Sequence, residues 1–339
     1  MAADSPTLAQ CLSQAHGMGL ARVDAHMLLL HSLDRHLHDR AWLLAHDTDT
    51  LSALQLGKWQ SALQRRLDGE PVAYITGRKD FFGLTLSVDA RVLDPRPDTE
   101  TLVEWALAVL PKAPTPNTLR LLDLGTGSGA VALALQYARP DTQVWALDAS
   151  EAALVVARAN AAHLALPVHF IASNWFAQVD AKFDLIVSNP PYIAQADPHL
   201  EALKHEPLQA LTSGSDGLND IRHIIENALR YLAPSAWLLL EHGHDQAETV
   251  RTLLEDAGFI QVQSQADLSG IARCSGGQRS RCLVGSPLEP GPIANRFIPR
   301  HPGGGHHGVG LSPKMALERK AMAFCGAALG RHHDTALAR

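Results

Sequence analysis

The sequence predicts an α/β protein: a doubly wound, mostly parallel sheet preceded by a small all-helical domain, the two joined by a β-hairpin. Three observations predict it. From Leu119 onward, short apolar runs alternate with helical patterns, as repeated β–α units do. Before about Leu67, apolar residues instead fall at three- and four-residue spacing, with few glycines or prolines among them. Between the two, Tyr74–Asp89 alternates around Gly83. The 339 residues, 46% hydrophobic and 19% charged, are enough for two or three domains, each burying its own core.

Taken in order, residues 1–72 are expected to form the helical domain. Val23, His26, Met27 and Leu30 mark one apolar stripe, and Leu51, Leu54, Leu63 and Leu67 a further amphipathic pair. The stretch His31, His36 and His38 reads as solvent-facing histidines rather than a metal site, because no carboxylate or cysteine partner accompanies it. Residues 73–96 form the hairpin connector. Asp94–Glu100 then opens a helix, with Pro97 in its first turn and Asp98 or Thr99 as cap. In residues 97–285, strands are expected at 119–124, 143–148, 169–172, 183–188, 237–241 and 260–265. Helices are expected at 129–138, 150–163 (capped by Ser150), 220–232 and 246–257. The proline- and glycine-rich residues 286–339, with His306 and His307, break the pattern and read as a disordered C-terminal extension ending in one helix near 314–329.

Composition excludes several classes. No apolar run reaches the ~18 residues that a membrane-spanning helix needs. Met1–Gln10 has no basic cluster ahead of an apolar core, so no secretory signal is expected. The 4 cysteines show no CxxC pairing, which fits a reduced, cytoplasmic protein without a structural metal. A net charge of −6 lacks the global signature of a nucleic-acid binder.

Two motifs carry chemistry. The first is Asp123-Leu-Gly-Thr-Gly-Ser-Gly129, spanning the end of a strand and the start of a helix. Glycines suit a backbone that must turn sharply and admit a ligand closely. At the end of the next strand stands Asp148, placed to accept hydrogen bonds from ribose hydroxyls. The spacing is GxGxG, not the GxGxxG of a dinucleotide site. Asp123 would repel a pyrophosphate but attract the cationic amino-acid end of S-adenosyl-L-methionine.

The second motif is Asn189-Pro-Pro-Tyr192, following the strand 183–188 and therefore on the same sheet edge. Pro190 and Pro191 fix two φ angles and remove two N–H donors. The Asn189 side-chain oxygen and the Pro190 carbonyl can then accept both hydrogens of one planar NH₂ group, with Tyr192 against its face. A delocalised nitrogen is a poor nucleophile, so orienting it toward a sulfonium methyl is what such a loop contributes; alignment can be worth roughly 7–11 kcal/mol at the extreme. The motif alone fits the exocyclic amine of adenine or cytosine and a glutamine amide equally well.

The glycine run looks like the first motif of class I S-adenosylmethionine-dependent methyltransferases. The combination resembles the release factor glutamine methyltransferases, the HemK/PrmC family, over roughly residues 20–284. Gly69–Gly77, Phe81–Gly83, Val92–Glu100, Asn174 and Trp175, Glu206–Leu211 and Gly214–Leu218 carry it beside the two motifs. It implies a class I fold with a seven-stranded sheet and a helical substrate-docking domain. It also implies methylation of the glutamine N5 in the Gly-Gly-Gln tripeptide of class I peptide chain release factors. Carried over residue by residue, Gly125, Thr126, Gly127, Ser128 and Gly129 hold the methionine end of the cofactor and Asp148 its ribose. Trp175 stacks near the adenine, and Asn189 touches both cofactor and acceptor. Asn189, Pro190 and Tyr192 are the expected catalytic residues, and Pro191 completes the glutamine pocket. Arg96 and Glu100 are candidates for pocket or domain-bridging residues, or for a structural salt bridge. The resemblance ends before Ser286, and Cys274–Arg279 stands where the family carries a shorter charged hairpin.

The alternatives are an amino-methyltransferase acting on DNA or RNA bases, a methyltransferase for a ribosomal-protein glutamine, and a non-catalytic adaptor. The acidic charge and the lack of a long basic segment weigh against the first. Pro95–Glu100 and the N-terminal helices lean against the second. The intact Asn189 and glycine turn weigh against the third. A monomer, without direct nucleic-acid or membrane contact, is expected.

Overall fold

A computed structural model describes residues 5–111 and 119–281, which fall in one unit, Met1–Val284. The readings made for 282–339, including the terminal helix and His306 and His307, lie outside the described residues.

Five helices open the chain: α1 (Leu8–Gly17), α2 (Arg22–Ser32), α3 (Arg40–Ala45), α4 (Ala53–Leu67) and α5 (Val72–Thr76). α1 and α4 start on capping boxes: Thr7 and Ser52 each accept from the backbone three residues on, and Gln10 and Gln55 reach back to them. Their apolar faces meet in one cluster containing Leu8, Leu28, Leu29, Leu30, Trp59 and Leu63. Two expected stripe positions are wrong. Val23 and Leu54 are exposed, at 46% and 73%. α2 is packed against α1 and α4, so its buried face runs through Ala25 and three successive leucines instead. On α4 the buried face follows Trp59, Ala62 and Leu63, and Leu54 lies roughly 140° around the helix from Trp59.

The hairpin pairs β1 (Arg78–Phe81) with β2 (Leu84–Ser87), with Phe81 opposite Leu84 across the turn at Gly83. It is shorter than expected, because Tyr74–Thr76 complete α5. Glu100 is tied to this hairpin, its carboxylate accepting from the Phe82 N–H at 2.8 Å. His38 pairs with Asp80 at 2.8 Å, linking the helical part to β1.

A 3₁₀ turn, Pro97–Thr99, leads into α6 (Glu100–Val109). Neither Asp98 nor Thr99 caps it; Thr99 has helical angles, and its hydroxyl is engaged elsewhere. There follow β3 (Arg120–Leu124), α7 (Ala130–Ala138), β4 (Gln143–Asp148), α8 (Glu151–Leu164), β5 (Val168–Ala172) and β6 (Phe183–Ser188). The described residues end with α9 (Asn219–Ala228), β7 (Leu232–Glu241), α10 (Ala247–Asp256), β8 (Ile260–Ala266) and β9 (Ala272–Gln278). Ser150 caps α8, accepting from Ala153 N–H. α9 ends four residues before its expected limit, since Leu232 already pairs with Phe183 as the start of β7.

Among the described residues the main sheet has seven strands, ordered β5-β4-β3-β6-β7-β9-β8. β3 to β7 are parallel, and β9 inserts antiparallel between β7 and β8. β9 escapes a sequence reading because Ala-Arg-Cys-Ser-Gly-Gly-Gln has no alternation. Its glycines are there for close approach: a Cβ on Gly276 would come within 2.5 Å of the Leu238 carbonyl oxygen. Two apolar clusters cover the sheet faces, one built on α6 and α7, the other on α9 and α10.

Candidate active site

The chain runs from β3 outward to β4 and β5, then crosses to β6 on the other side of β3. That reversal opens a crevice at the carboxyl ends of β3 and β6. Leu124 pairs with Ser188 across these strands, and the Ser188 hydroxyl donates to the Leu124 carbonyl at 2.6 Å. Gly125 and Asn189 therefore leave the sheet side by side, about 5 Å apart by strand spacing.

The glycine turn is held by its own backbone. Gly125 and Thr126 both donate to the Leu147 carbonyl, at 2.8 and 2.9 Å. Gly129 sits at φ 86° ahead of α7, where a Cβ would crowd Leu133 and Ala157 at 3.1 and 3.3 Å. Gly127 N–H donates to Asp148 at 2.8 Å, and Ser150 N–H takes the other Asp148 oxygen at 2.8 Å. Burial raises the Asp148 pKa. Asp123 is buried beneath the turn, accepting from the Thr126 hydroxyl at 2.7 Å and Ala132 N–H at 3.2 Å. Its burial outweighs both bonds and pushes its pKa up to about 7.

A cavity of about 270 Å³ lies over this turn, bordered by Asp123, Gly127, Asp148, Trp175 and Asn189. Trp175 has φ +47° and lies against Gly125, where a Cβ would meet its ring at 3.5 Å. Its indole N–H donates to Asp220 at 3.2 Å, and Asp220 is itself held by Ser213 at 2.6 Å. Two carboxylates, a glycine-lined wall and an indole face form a donor set suited to a cationic amino acid, a ribose diol and a purine. These residues fit S-adenosyl-L-methionine.

A second cavity, about 220 Å³, adjoins the first and is bordered by Arg96, Asn189, Pro190, Tyr192, Leu203 and Leu211. Asn189 borders both, whereas Pro191 faces the first and Pro190 and Tyr192 the second. Asn189 Nδ2 donates to the Thr99 hydroxyl at 3.2 Å, leaving Oδ1 as the free acceptor of its amide. Tyr192 OH donates to Glu241 at 3.4 Å. Gln246 Nε2 donates to the Tyr192 carbonyl at 3.0 Å, and Gly217, at φ +77°, lies directly against that carbonyl. Arg96 forms an ion pair at 2.5 Å with the buried Glu206, so both readings of Arg96, pocket wall and salt bridge, describe it; Glu100 is not in either wall.

Thus the glycine turn, Asp148, Trp175 and the Asn189–Tyr192 loop converge on one crevice. Thr99, Asp220, Glu241 and Gln246 escaped the sequence reading as site residues. Thr99 reads as a helix cap and Glu241 as a strand end; only the fold brings them to the loop.

The fold and this crevice define a class I S-adenosylmethionine-dependent methyltransferase. Residues 103–215 match the methyltransferase small domain, and residues 7–77 the PrmC N-terminal domain. The release factor glutamine methyltransferase of Burkholderia pseudomallei is 46% identical over 269 residues, 76% of this chain and 92% of that protein. That of Escherichia coli K12 is 42% identical over 275 residues, 80% of this chain and 97% of that protein. A crystal structure of a release factor-specific protein-(glutamine-N5) methyltransferase from Alicyclobacillus acidocaldarius is 31% identical, covering 55% of this chain and 94% of that one, with a TM-score of 0.35. The chain belongs to the release factor glutamine methyltransferase family.

Proposed function

We propose that this protein transfers a methyl group from S-adenosyl-L-methionine to N5 of the glutamine in the Gly-Gly-Gln motif of class I peptide chain release factors. The observation that carries the reading is Asn189, the polar side chain shared by two adjoining cavities. The relatives named above support the choice of acceptor.

When bound, the cofactor supplies an electrophilic methyl on a sulfonium. Asp123 would hold its ammonium and Asp148 its ribose, and Trp175 would lie against the adenine. The glutamine amide enters the cavity bordered by Arg96 and Tyr192. Asn189 Oδ1 and the Pro190 carbonyl accept its two N–H bonds, and Tyr192 covers its planar face. Both acceptors favour positive charge on the nitrogen as it attacks. The methylated nitrogen is strongly acidic, so proton loss needs no strong base.

Under this reading residues 1–72 dock the release factor, residues 73–96 connect, and residues 97–285 carry the chemistry. The protein acts in the cytoplasm as a monomer without direct nucleic-acid contact. Among the described residues no helix is long and apolar enough to cross a membrane. The test offers purified release factor, a ribosomal protein and duplex DNA in parallel with labelled cofactor. Label on the release-factor glutamine is expected; transfer to DNA alone would overturn the assignment.

A further inference from the structure

We propose that Gln246 is a positioning residue for this transfer: from the cap of α10 its side-chain amide holds the Tyr192 carbonyl and so fixes the downstream end of the acceptor loop. The proposal rests on the functional reading above and reaches a residue outside both cavity walls.

The loop needs such an anchor. Pro190 and Pro191 have no N–H, and the Pro190 carbonyl is reserved for the substrate amide. The loop must therefore be held from its flanks. Upstream, the Ser188 hydroxyl donates to the Leu124 carbonyl and Asn189 Nδ2 to the Thr99 hydroxyl. Downstream, Gln246 Nε2 donates to the Tyr192 carbonyl at 3.0 Å, across 54 positions of sequence. The next residue, Ile193, donates its N–H to the Leu211 carbonyl and accepts from Ser213 N–H, both at 2.9 Å.

The whole Gln246 amide is engaged. Its Oε1 accepts from Gly243 N–H at 2.8 Å, and Nε2 donates also to the Asp216 carbonyl at 3.4 Å. These partners settle which way the amide faces, because a flipped one would set its oxygen against two carbonyl oxygens. Gly217 makes the approach possible: at φ +77°, a Cβ there would fall 2.2 Å from the Tyr192 oxygen and 2.9 Å from Gln246 Nε2. Three segments distant in sequence thus meet on one amide: the acceptor loop, the turn at Asp216 and Gly217, and the connection from β7 to α10.

The far side of that amide is anchored in turn. The Gly243 carbonyl accepts from Gln246 N–H at 3.1 Å and from His242 Nδ1 at 2.9 Å. Facing a carbonyl, Nδ1 must carry the ring proton, so Nε2 accepts from the Ser275 hydroxyl at 2.7 Å. Ser275 then accepts from Ser264 at 2.7 Å, and Ser264 from Arg251 Nη1 at 2.8 Å. His242 and Ser275 are fully buried. The donors run one way, from Arg251 of α10 through β8 and β9 to Gly243, and Gln246 carries that hold to the loop.

The test uses full-length Gln246→Met and Gln246→Glu proteins with labelled cofactor and release factor. Met fills the space without a donor; Glu is the closer isostere but turns an acceptor toward the two carbonyls. Expected is a kcat loss of about tenfold for Met and more for Glu, with KM for the release factor and cofactor affinity changed less than about threefold. A residue that merely filled space would tolerate Glu better than Met. Independently of any acceptor, hydrogen exchange of Ile193 N–H should quicken by about tenfold in both variants, while the amides of β3 keep their protection. An unchanged kcat, a milder loss in Gln246→Glu than in Gln246→Met, or exchange that is unmoved at Ile193 or equally quickened in β3 overturns the proposal. If the unaltered protein left release factor unlabelled, the functional reading would fall, and Ile193 exchange would still decide whether Gln246 holds the loop.

Discussion

Lowering the pH from 8 to 6, with and without Asp123→Asn, probes how the buried carboxylate meets the cofactor. Asp123 accepts two hydrogen bonds, yet burial holds its pKa at about 7. Near pH 6 it is mostly protonated in the ligand-free protein. An ammonium brought beside it favours the ionised form, so binding must expel the proton. Apparent affinity then falls by a factor of 1 + 10^(pKa − pH), about tenfold at pH 6, or ~1.4 kcal/mol. The ligand's own α-amino group, with a reference pKa near 8, stays charged below pH 7 and adds nothing to this limb. Calorimetric titration in two buffers of different ionisation enthalpy counts the protons. Close to one proton released at pH 6 is expected, falling to none from this group in Asp123→Asn, which also binds more weakly at pH 7. Burial raises Asp148 as well, but the Asp123 variant removes one limb only. An affinity indifferent to pH between 5.5 and 7, with no proton release, would refute the pairing.

The remaining predictions concern the loops and the unliganded fold. Asn189→Ala should lower kcat by roughly 10²–10³, the range for losing one charge-stabilising group, with calorimetric cofactor affinity nearly unchanged. Gly217→Ala places a Cβ 2.2 Å from the Tyr192 carbonyl oxygen at φ +77°. A loss of roughly 1–3 kcal/mol in urea unfolding, with reduced turnover, should follow. Trp175→Ala should weaken cofactor binding by roughly 1–3 kcal/mol if a base stacks there. Without cofactor, Asp123 and Glu241 keep protons that the unfolded chain has already lost, since both pKa values rise to about 7 on folding. Stability they contribute is complete below the unfolded carboxyl range and is lost as pH rises toward 7. The melting temperature should therefore fall between pH 5 and 7, less steeply in Asp123→Asn.

Periodic and local signals reached far into this fold. The β–α alternation locates β3 to β8, Ser150 announces α8, and the glycine turn and Asn189–Tyr192 loop stand out because their residues are unusual for the places they occupy. What stayed hidden depends on partners distant in sequence. β9 lacks alternation because Gly276 answers to Leu238, Leu239 and Trp105, and Gly277 to Phe259 and Val262. Val23 and Leu54 satisfy a helical stripe on paper, but which side of α2 or α4 faces the core is set by the other helices. Thr99 sits in a cap-like context, and its hydroxyl is claimed instead by Asn189, 90 positions away. The expected role of Asp123 was incomplete for the same reason, because a sequence gives its charge but not the burial that moves its pKa.

The register of β3 against β6 ties these observations together. Leu124 stands opposite Ser188, so the residues that follow, Gly125 and Asn189, emerge as neighbours at the point where strand order reverses. Side chains alternate faces along a strand, so a slip of one residue in β6 would carry Asn189 away from Thr99 and exchange the faces of Ser188 and Val187. The slip is opposed by burial: Leu185, Ile186, Val187 and Ser188 are all essentially inaccessible, and the Ser188 hydroxyl is bound to the Leu124 carbonyl. A buried serine shifted off that carbonyl would lose its partner in an apolar layer, at a cost of roughly 1–3 kcal/mol. Core packing thus fixes the strand ends to within one residue, and the loops that leave those ends inherit a separation suited to placing a donor methyl and an acceptor nitrogen in contact.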